Sequence, residues 1–226
     1  GGSGGHIMPA LSIFDHLKKN FDTSIITDNR GSKFINKKEY EFNIIDVPNL
    51  FEKFYLLPVN IIKFLISIFQ SYLFLKKNKI NFLISTGGYM SLPICIASKI
   101  IGLKIYLIEP NSVIGRANLF ILSLSKKIIC YDKDIKNFPN KHLNKINIVP
   151  PLLRKEAYVS AKNDKEKLGN LKKILVLGGS QGAKFFDKNI TDLLLQVSEK
   201  IEIEVHQQVY DELEKNKIKS KYRDAK

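Results

Sequence analysis

The stretch KILVLGGSQGAKFFDKNI, residues 173–190, predicts a β-strand that passes through a glycine-rich turn into an α-helix. Its first residues, 173–177, are the short apolar run of a buried strand. The turn covers 178–182, where glycines let the backbone reverse tightly, and helical periodicity begins near Ala183. A helix start offers free N–H groups and the positive end of the helix dipole, so this unit suits a diphosphate, with the Ser180 hydroxyl as a further donor.

The first ten residues, GGSGGHIMPA, repeat the order of glycines and serine found in that turn, and a helical pattern follows them. By themselves, Gly1–Gly5 resemble an appended flexible linker and His6–Met8 a cloning scar. An appended linker has no reason to copy an internal turn, so we interpret residues 1–6 as a second loop of the same design. Two such loops predict two Rossmann-like domains facing each other across a cleft.

Neither loop is a dinucleotide-binding fingerprint, because both lack GxGxxG, although Asp28 follows the next strand where a ribose-binding acid could lie. A P-loop is excluded, since no GK[ST] follows either turn. The alternative for each loop is a tight turn with a purely structural role.

Short, apolar and β-branched runs alternate with helical stretches along the chain, which indicates parallel strands joined by helical crossovers and therefore an α/β fold. The predicted strands are 23–27, 42–47, 81–86, 104–108, 127–130, 146–149, 173–179 and 201–206. The pattern lapses in a segment with two prolines and many charges, which we interpret as a linker over 151–171. It divides a domain over 1–150 from a second, incomplete domain over 172–226, which has room for two strands and two helices.

The segment 56–77 is apolar over almost the length that spans a bilayer, but its polar residues fall in one helical stripe. The stripe consists of Asn60, Lys63, Ser67, Gln70 and Ser71. More apolar surface remains than packing on a sheet requires, and lysines accompany it at positions 53, 63, 76, 77 and 79. The pattern is typical of a helix lying on an anionic membrane, with an ordinary buried helix as the alternative.

Composition sets broad limits on function. The chain has 226 residues, 44% hydrophobic and 26% charged, as in a globular protein. A net charge of +14 favours anionic partners without choosing among nucleic acid, lipid headgroups and phosphorylated substrates. Cys95 and Cys130 lie apart in apolar runs and predict reduced core thiols rather than a disulfide or a zinc site. Both ends look cut: the chain does not start with Met, and its last residues stop inside a charged helical pattern.

Three stretches together resemble the hallmark sequences of the MurG family of UDP-N-acetylglucosamine transferases. They are GGSGGHIMPA (1–10), STGGYMSLPICIASKIIGLKIYLIEPNSVIGRANLF (85–120) and ILVLGGSQGAKFFDKNI (174–190). The resemblance runs in order from residue 1 to about residue 206, and it implies a GT-B fold of two Rossmann-like domains. It also implies that an apolar strand precedes the first loop, and that most uridine contacts lie beyond the chain.

The reaction implied by the resemblance is inverting transfer of GlcNAc from UDP-GlcNAc to the MurNAc 4-hydroxyl of lipid I, which forms lipid II. No cofactor or metal is expected, because helix dipoles and arginine would stabilise the leaving diphosphate. The implied partners are UDP-GlcNAc, lipid I and an anionic membrane surface, but not nucleic acid. The expected location is the cytoplasmic face of the bacterial inner membrane, with the domain over 1–150 on the acceptor side.

The site residues follow from the matching positions. His6 is the candidate general base, because an imidazole suits proton transfer near neutral pH; the alternative is a histidine that only binds substrate or shapes the loop. The remaining candidates would bind substrate: Ser3, Gly4 and Gly5 on the acceptor side, Asn111 at the donor sugar, and Arg154, Ser180, Gln181 and Gly182 at the donor diphosphate. His16 and His142 are expected to be surface or packing residues.

The chain departs from the family pattern in two places. The family's HEQN stretch reads Ile108-Glu109-Pro110-Asn111 here, and the stretch before Arg154 reads PPLL rather than GNPV. Gly87-Gly88-Tyr89 is intact and predicts either a turn under the acceptor or a helix start. Three other functions compete: a different UDP-sugar transferase acting on a lipid, a nucleic-acid-binding module without a recognition motif, and an inactive fragment. We expect residues 1–226 alone to show no turnover.

Overall fold

A computed structural model of the chain describes residues 4–50, 54–153 and 172–224. The chain divides into two compact units, Gly1–Lys162 and Asn163–Lys226. Most of the linker predicted over 151–171 lies outside the described residues, because the description stops at residue 153 and resumes at 172.

The first unit has six strands in its described part, and every pairing between them is parallel. The strands are β1 (Ile25–Thr27), β2 (Phe42–Ile44), β3 (Phe82–Ser85), β4 (Lys104–Glu109), β5 (Lys127–Cys130) and β6 (Ile146–Ile148). β1 pairs with β2, whereas β3 to β6 form a second sheet in sequence order. The six strands predicted from this part of the sequence are therefore confirmed, as is the parallel α/β arrangement.

Helices connect these strands, as parallel pairing requires. They are α1 (Gly4–Leu17), α2 (Leu57–Lys77), α3 (Ser91–Ile101) and α4 (Arg116–Leu124), with 3-10 turns at Gly31–Phe34, Phe54–Leu56 and Asn140–Lys145. Gly102 ends α3 in the left-handed conformation, with φ of 84°. Because β3 and β4 are parallel, their carboxyl ends lie at the same edge of the sheet. Helices α3 and α4 begin after the turns that follow these two strands, so the turns lie at that edge.

The main core surrounds β4 and β5, whose inward side chains are completely buried. Ile105, Leu107 and Ile128 from the strands pack with Ile121 and Leu122 from α4. Burial on both faces is expected for central parallel strands covered by helices. Cys95 and Cys130 belong to the same cluster as free thiols, which confirms the prediction that both cysteines are core residues.

A groove of about 560 Å³ separates the two sheets of this unit. Residues 24–26 of the β1 segment line one wall, and residues 82–86 of the β3 segment line the other. In the described part of the chain β1 and β3 pair with no strand on the groove side.

Helix α2 packs on the protein through small polar residues and Leu75, while most of its large apolar residues face solvent. Asn60, Ser67 and Ser71 are buried, and this side of the helix packs against α3. The outward residues include Phe69, Ile62 and Leu65, which are 61%, 59% and 58% exposed. The alternative of an ordinary buried helix is therefore wrong, because most of the apolar surface of α2 is accessible.

The buried polar side chains of α2 donate hydrogen bonds to nearby backbone carbonyl oxygens. Ser67 Oγ donates to the carbonyl oxygen of Phe64 and Ser71 Oγ to that of Ser67, each at 2.7 Å, while Asn60 Nδ2 donates to the Asn49 carbonyl oxygen at 3.0 Å. Such bonds to nearby backbone let serine enter a helix contact without an unpaired hydroxyl. Small side chains on this face also let α3 approach closely.

The second unit contains two parallel strands and two helices in its described residues, as predicted. These are β7 (Lys172–Val176), α5 (Gly179–Ser198), β8 (Ile203–Gln207) and α6 (Glu212–Asp224). Asp187 of α5 is buried and accepts hydrogen bonds from Tyr210 N at 2.8 Å and Gln207 Nε2 at 3.3 Å. These bonds hold the chain segment that follows β8 against the helix.

Candidate active site

The first glycine stretch enters helix α1 earlier than its sequence suggests. We predicted a loop over residues 1–6, but α1 begins at Gly4, so Gly4, Gly5 and His6 form its first turn. The first turn of a helix has no internal acceptors for its N–H groups, so glycines there keep their donors free just as a loop would. The free N–H groups that we predicted for a loop are therefore offered by the first turn of α1. Ser3 lies outside the described residues.

His6 is half-buried and is held against the turn that follows β3. Its Nδ1 lies 2.7 Å from the carbonyl oxygen of Thr86, a contact across 80 residues of sequence. A Cβ on Gly88 would come within 3.1 Å of the His6 ring, which shows how closely the imidazole packs on this backbone. With Nδ1 bonded to a carbonyl, which only accepts, Nδ1 carries the proton and Nε2 is the nitrogen able to receive one.

Gly87 and Gly88 form that turn in a conformation that favours glycine, with φ of 81° and 84°. The turn is braced on both sides: Gly87 N donates to Ser85 Oγ at 3.1 Å, and Ser91 Oγ donates to the Gly87 carbonyl oxygen at 2.8 Å. Helix α3 starts directly after it, at Ser91. Gly87-Gly88-Tyr89 is therefore a turn that leads into a helix, and its predicted place under the acceptor stays a prediction.

Asn118 of α4 connects this turn to the end of β4. Its Oδ1 accepts a hydrogen bond from Gly88 N at 3.1 Å, and its Nδ2 donates to Glu109 Oε2 at 2.7 Å. A Cβ on Gly87 would lie 2.7 Å from the amide carbon of Asn118, so the turn and the side chain are in close contact. Both Asn118 and Glu109 are buried.

Asn111 lies on the exposed turn after β4 and is also bonded to Glu109. Its Nδ2 donates to Glu109 Oε1 at 2.8 Å and its backbone N donates to the same oxygen at 3.1 Å. Because Asn111 is exposed and its Nδ2 is the amide atom bonded to Glu109, its Oδ1 can accept a hydrogen bond from a ligand hydroxyl. The structure therefore links Asn111 to His6 through Glu109, Asn118 and Gly88.

Burial raises the pKa of two side chains close to this network, Cys130 and Tyr89. Burial and, to a smaller extent, the charge of Glu109 on the adjacent strand together raise the pKa of the Cys130 thiol to about 11. Burial also raises the pKa of the Tyr89 phenol beside the glycine turn. Both groups therefore stay neutral at pH 7.

Asp28, which the sequence placed where a ribose-binding acid could lie, is hydrogen-bonded within its own loop. It is buried, and it accepts from Arg30 Nε at 2.7 Å and from Gly31 N at 2.8 Å. These bonds hold the 3-10 turn after β1 and leave the carboxylate a structural role. Among the described residues no cluster of His, Cys, Asp or Glu has the arrangement of a metal site. His16 is exposed and His142 buried, as expected of surface and packing residues.

The second glycine stretch also enters its helix early. We expected the helix to begin near Ala183, but α5 begins at Gly179, so Ser180, Gln181 and Gly182 lie in its first turn. As in α1, first-turn N–H groups need no internal partner, which is why a glycine turn and a helix start look alike in sequence. Arg154 lies outside the described residues, so its predicted role at the diphosphate stays a prediction.

The sequence candidates are thus only partly brought together. Gly4, Gly5, His6 and Asn111 lie in the first unit, at the carboxyl edge of its strands, and Ser180, Gln181 and Gly182 lie in the second unit. Thr86, Asn118 and Glu109 were not singled out from the sequence, although they hold His6 and Asn111 in place. A signal for Glu109 existed: an acid at the end of a strand as apolar as β4 must find several donors if it is buried.

Comparison with known proteins identifies the family to which the chain belongs. Residues 1–130 match the glycosyltransferase family 28 N-terminal domain. The chain therefore belongs to glycosyltransferase family 28. Its relatives include proteins named UDP-N-acetylglucosamine--N-acetylmuramyl-(pentapeptide) pyrophosphoryl-undecaprenol N-acetylglucosamine transferase. The one from Pelagibacter ubique is 45% identical over 208 residues, covering 92% of this chain and 58% of the relative. The one from Francisella tularensis strain SCHU S4 is 34% identical over 241 residues, covering 97% and 64%.

Solved structures support the fold. The crystal structure of Acinetobacter baumannii MurG matches 99% of this chain and 63% of that protein, with a TM-score of 0.73 and 21% identity. The UDP-GlcNAc 2-epimerase of Methanocaldococcus jannaschii matches 94% of this chain with a TM-score of 0.55 and 16% identity. The resemblance to the MurG family and the GT-B fold class are thus confirmed. The chain spans about three fifths of the length of the curated relatives it matches.

Proposed function

We propose that this chain is part of an inverting glycosyltransferase that moves GlcNAc from UDP-GlcNAc to the MurNAc 4-hydroxyl of lipid I, forming lipid II for peptidoglycan. The observation that carries the proposal is the 45% identity, over 92% of the chain, to a relative named for this transfer. The geometry of the first unit agrees with it, since a half-buried histidine and an exposed asparagine amide are tied to one network at the edge of a parallel sheet.

His6 is the proposed general base. Its Nδ1 is bonded to the Thr86 carbonyl oxygen, so Nε2 is the nitrogen that would take the proton of the attacking 4-hydroxyl. The bond to Thr86 also stabilises the imidazolium that forms, because its Nδ1–H remains bonded throughout the transfer. Ser3, Gly4 and Gly5 would contact the acceptor through backbone N–H groups, and Asn111 would contact the hydroxyls of the donor sugar.

The donor diphosphate would be stabilised by the second unit. Ser180, Gln181 and Gly182 lie in the first turn of α5, where the free N–H groups and the positive dipole end favour an anion. Arg154 is the proposed cation for the same group, because a planar guanidinium can bond a phosphate through two N–H groups. Together they would stabilise the negative charge that grows on UDP as the glycosidic bond breaks. We propose no cofactor and no metal for this step.

Helix α2 is the proposed contact with an anionic membrane. Its outward apolar face is the set Val59, Ile61, Ile62, Leu65, Ile66, Phe69 and Leu73, hereafter the α2 face. Lys63, Lys76, Lys77 and Lys79 are exposed on or just after the same helix. α2 is also the one helix in the described ranges long and apolar enough to cross a bilayer by length and composition. Apolar side chains beside lysines favour a helix lying at the cytoplasmic surface of the inner membrane, where lipid I would be reached.

Transfer is tested with radiolabelled UDP-GlcNAc and lipid I, using a protein of the relatives' full length that contains this chain. The expected result is label in lipid II, and His6→Gln is expected to lower kcat about 10²- to 10⁴-fold. Transfer to another lipid, such as diacylglycerol, but not to lipid I would contradict the proposed acceptor. A His6→Gln change confined to KM would contradict the role as base and favour substrate binding alone.

Membrane contact is tested by sedimentation with vesicles that contain phosphatidylglycerol, against vesicles of phosphatidylcholine alone. We expect binding to the anionic vesicles, weakened by added salt and by Phe69→Glu on the α2 face. Leu213→Glu is the matched control, because Leu213 is a similarly exposed apolar residue on α6 of the second unit. Equal binding of both variants would refute the assignment of the α2 face, and salt-sensitive binding of duplex DNA at physiological ionic strength would revive a nucleic-acid partner.

A further inference from the structure

Glu109, the last residue of β4, is a fully buried carboxylate surrounded by N–H donors. Its relative exposure is 0%. Oε1 accepts from the backbone N and the Nδ2 of Asn111, at 3.1 and 2.8 Å, while Oε2 accepts from Gly115 N at 3.3 Å and Asn118 Nδ2 at 2.7 Å. An ionised carboxylate is an acceptor only, so each of its two oxygens suits the two donors that it meets.

The donors of Glu109 come from two segments that the proposed reaction uses. Asn111 and Gly115 belong to the exposed turn after β4, which carries the proposed contact with the donor sugar. Asn118 belongs to α4, and its Oδ1 receives Gly88 N from the turn on which the His6 ring packs. One carboxylate therefore sets the position of the Asn111 turn relative to the backbone that supports His6.

We propose that Glu109 is a positioning residue for glycosyl transfer, which holds the Asn111 turn and the Gly88 turn in register so that the donor sugar and the base meet. This inference rests on the proposed function. Glu109 is completely buried, so it acts through Asn111 and Asn118 rather than by touching substrate. Misplacement of reacting groups by about 1 Å can cost about a hundredfold in rate, so the effect of losing this link is measurable.

The direct test is Glu109→Gln in the full-length protein. Glutamine keeps the shape but replaces one acceptor oxygen by an NH₂ group, so it faces two N–H donors with a donor of its own. We expect kcat per folded molecule to fall about tenfold to a hundredfold, with a smaller change in the KM for lipid I. A residue that only supported folding would lower the yield of folded protein and leave kcat per folded molecule unchanged.

A second substitution can restore the link. In Glu109→Gln combined with Asn118→Asp, the glutamine Nε2 would donate to one aspartate oxygen, while the other aspartate oxygen would still accept from Gly88 N. The glutamine oxygen would keep both Asn111 donors, so the bond to Gly115 N, the longest of the four, is lost. We expect the double variant to recover most of kcat. Asn118→Asp alone places two carboxylates together and is expected to impair kcat.

Ile121→Val is the matched stability control. Ile121 is completely buried on the same helix as Asn118 and belongs to the apolar core. This variant is expected to lose stability and retain kcat. Wild-type kcat in Glu109→Gln, or a double variant no better than the single ones while all remain folded, would overturn the proposal.

A readout independent of activity separates this inference from the proposed function. The backbone amide signals of Gly88 and Asn111 and the ring signals of His6, observed by NMR, should shift in Glu109→Gln and return in the double variant. If the wild-type protein transfers no GlcNAc to lipid I, the proposed function fails, and these signals alone decide whether Glu109 holds the two turns. Unshifted signals at both turns would overturn the positioning role whatever the activity.

Discussion

Replacing Gly87 by alanine should disrupt the candidate site far more than the same change at Gly102. Both glycines have nearly the same left-handed backbone, with φ of 81° and 84°. A Cβ at Gly102 would meet no atom within 4 Å, whereas a Cβ at Gly87 would lie 2.7 Å from the amide carbon of Asn118. The pair therefore separates the cost of backbone conformation from the cost of displacing a buried side chain.

The expected magnitudes follow from these contacts. Placing a residue with a Cβ in the left-handed region costs about 1–2 kcal/mol, and this cost is common to both positions. At Gly87 the displaced Asn118 also loses its bond to Gly88 N, worth about 1 kcal/mol, and its bond to the Glu109 carboxylate, worth about 1.5–3 kcal/mol. Gly87→Ala should thus cost about 2.5–4 kcal/mol more than Gly102→Ala.

Hydrogen exchange of the β4 amides measures this difference, because these central strand amides open only when the first unit unfolds. The free energy of opening is compared among wild type, Gly87→Ala and Gly102→Ala in the full-length protein. Equal losses for the two variants would refute the reasoning, since they would show that Asn118 is not held in place by its bonds to Gly88 and Glu109.

Three further results are expected. Ser71→Leu should destabilise the first unit by about 1–3 kcal/mol by overfilling the contact of α2 with α3, whereas Leu65→Ser at the exposed face should change stability by less than about 0.5 kcal/mol, as measured by the same exchange. Burial lowers the pKa of His142 from its ordinary value of 6.5, so its contribution to stability is complete above pH 6.5 and is lost as the pH falls below it; unfolding midpoints of His142→Gln should decline less on acidification than those of wild type. Burial raises the pKa of Cys95 to about 12 and that of Cys130 to about 11, so iodoacetamide at pH 8 should label neither thiol, by mass spectrometry, until the protein is unfolded.

Strand positions could be predicted from sequence because each strand is a local pattern. Runs such as 128–130 are apolar and rich in β-branched residues, and central parallel strands need apolar side chains on both faces. The helix starts were harder to predict, because the first turn of a helix satisfies none of its N–H groups internally. Gly4 and Gly179 therefore have the sequence context of a loop while they lie in α1 and α5.

The orientation of α2 and the role of Glu109 needed the structure. The hydropathy of Ser67 and Ser71 gives no sign that these residues face the protein, because their hydroxyls are satisfied by bonds to the preceding turn of their own helix. Glu109 collects its donors from residues two, six and nine positions further on, which depends on the path of the turn after β4. The contact of His6 with Thr86 spans 80 residues, and no local pattern carries it.

The groove between β1 and β3 has a practical consequence for anyone who produces these residues in isolation. Within the described residues each wall is a strand edge without a paired neighbour. Such an edge can act as a template for another chain, and proteins usually cover, charge or bulge it to prevent association. Residues 1–226 alone should therefore self-associate by strand exchange as their concentration rises. A peptide that occupies the groove as an extended strand should suppress that association and would serve as a solubilising additive.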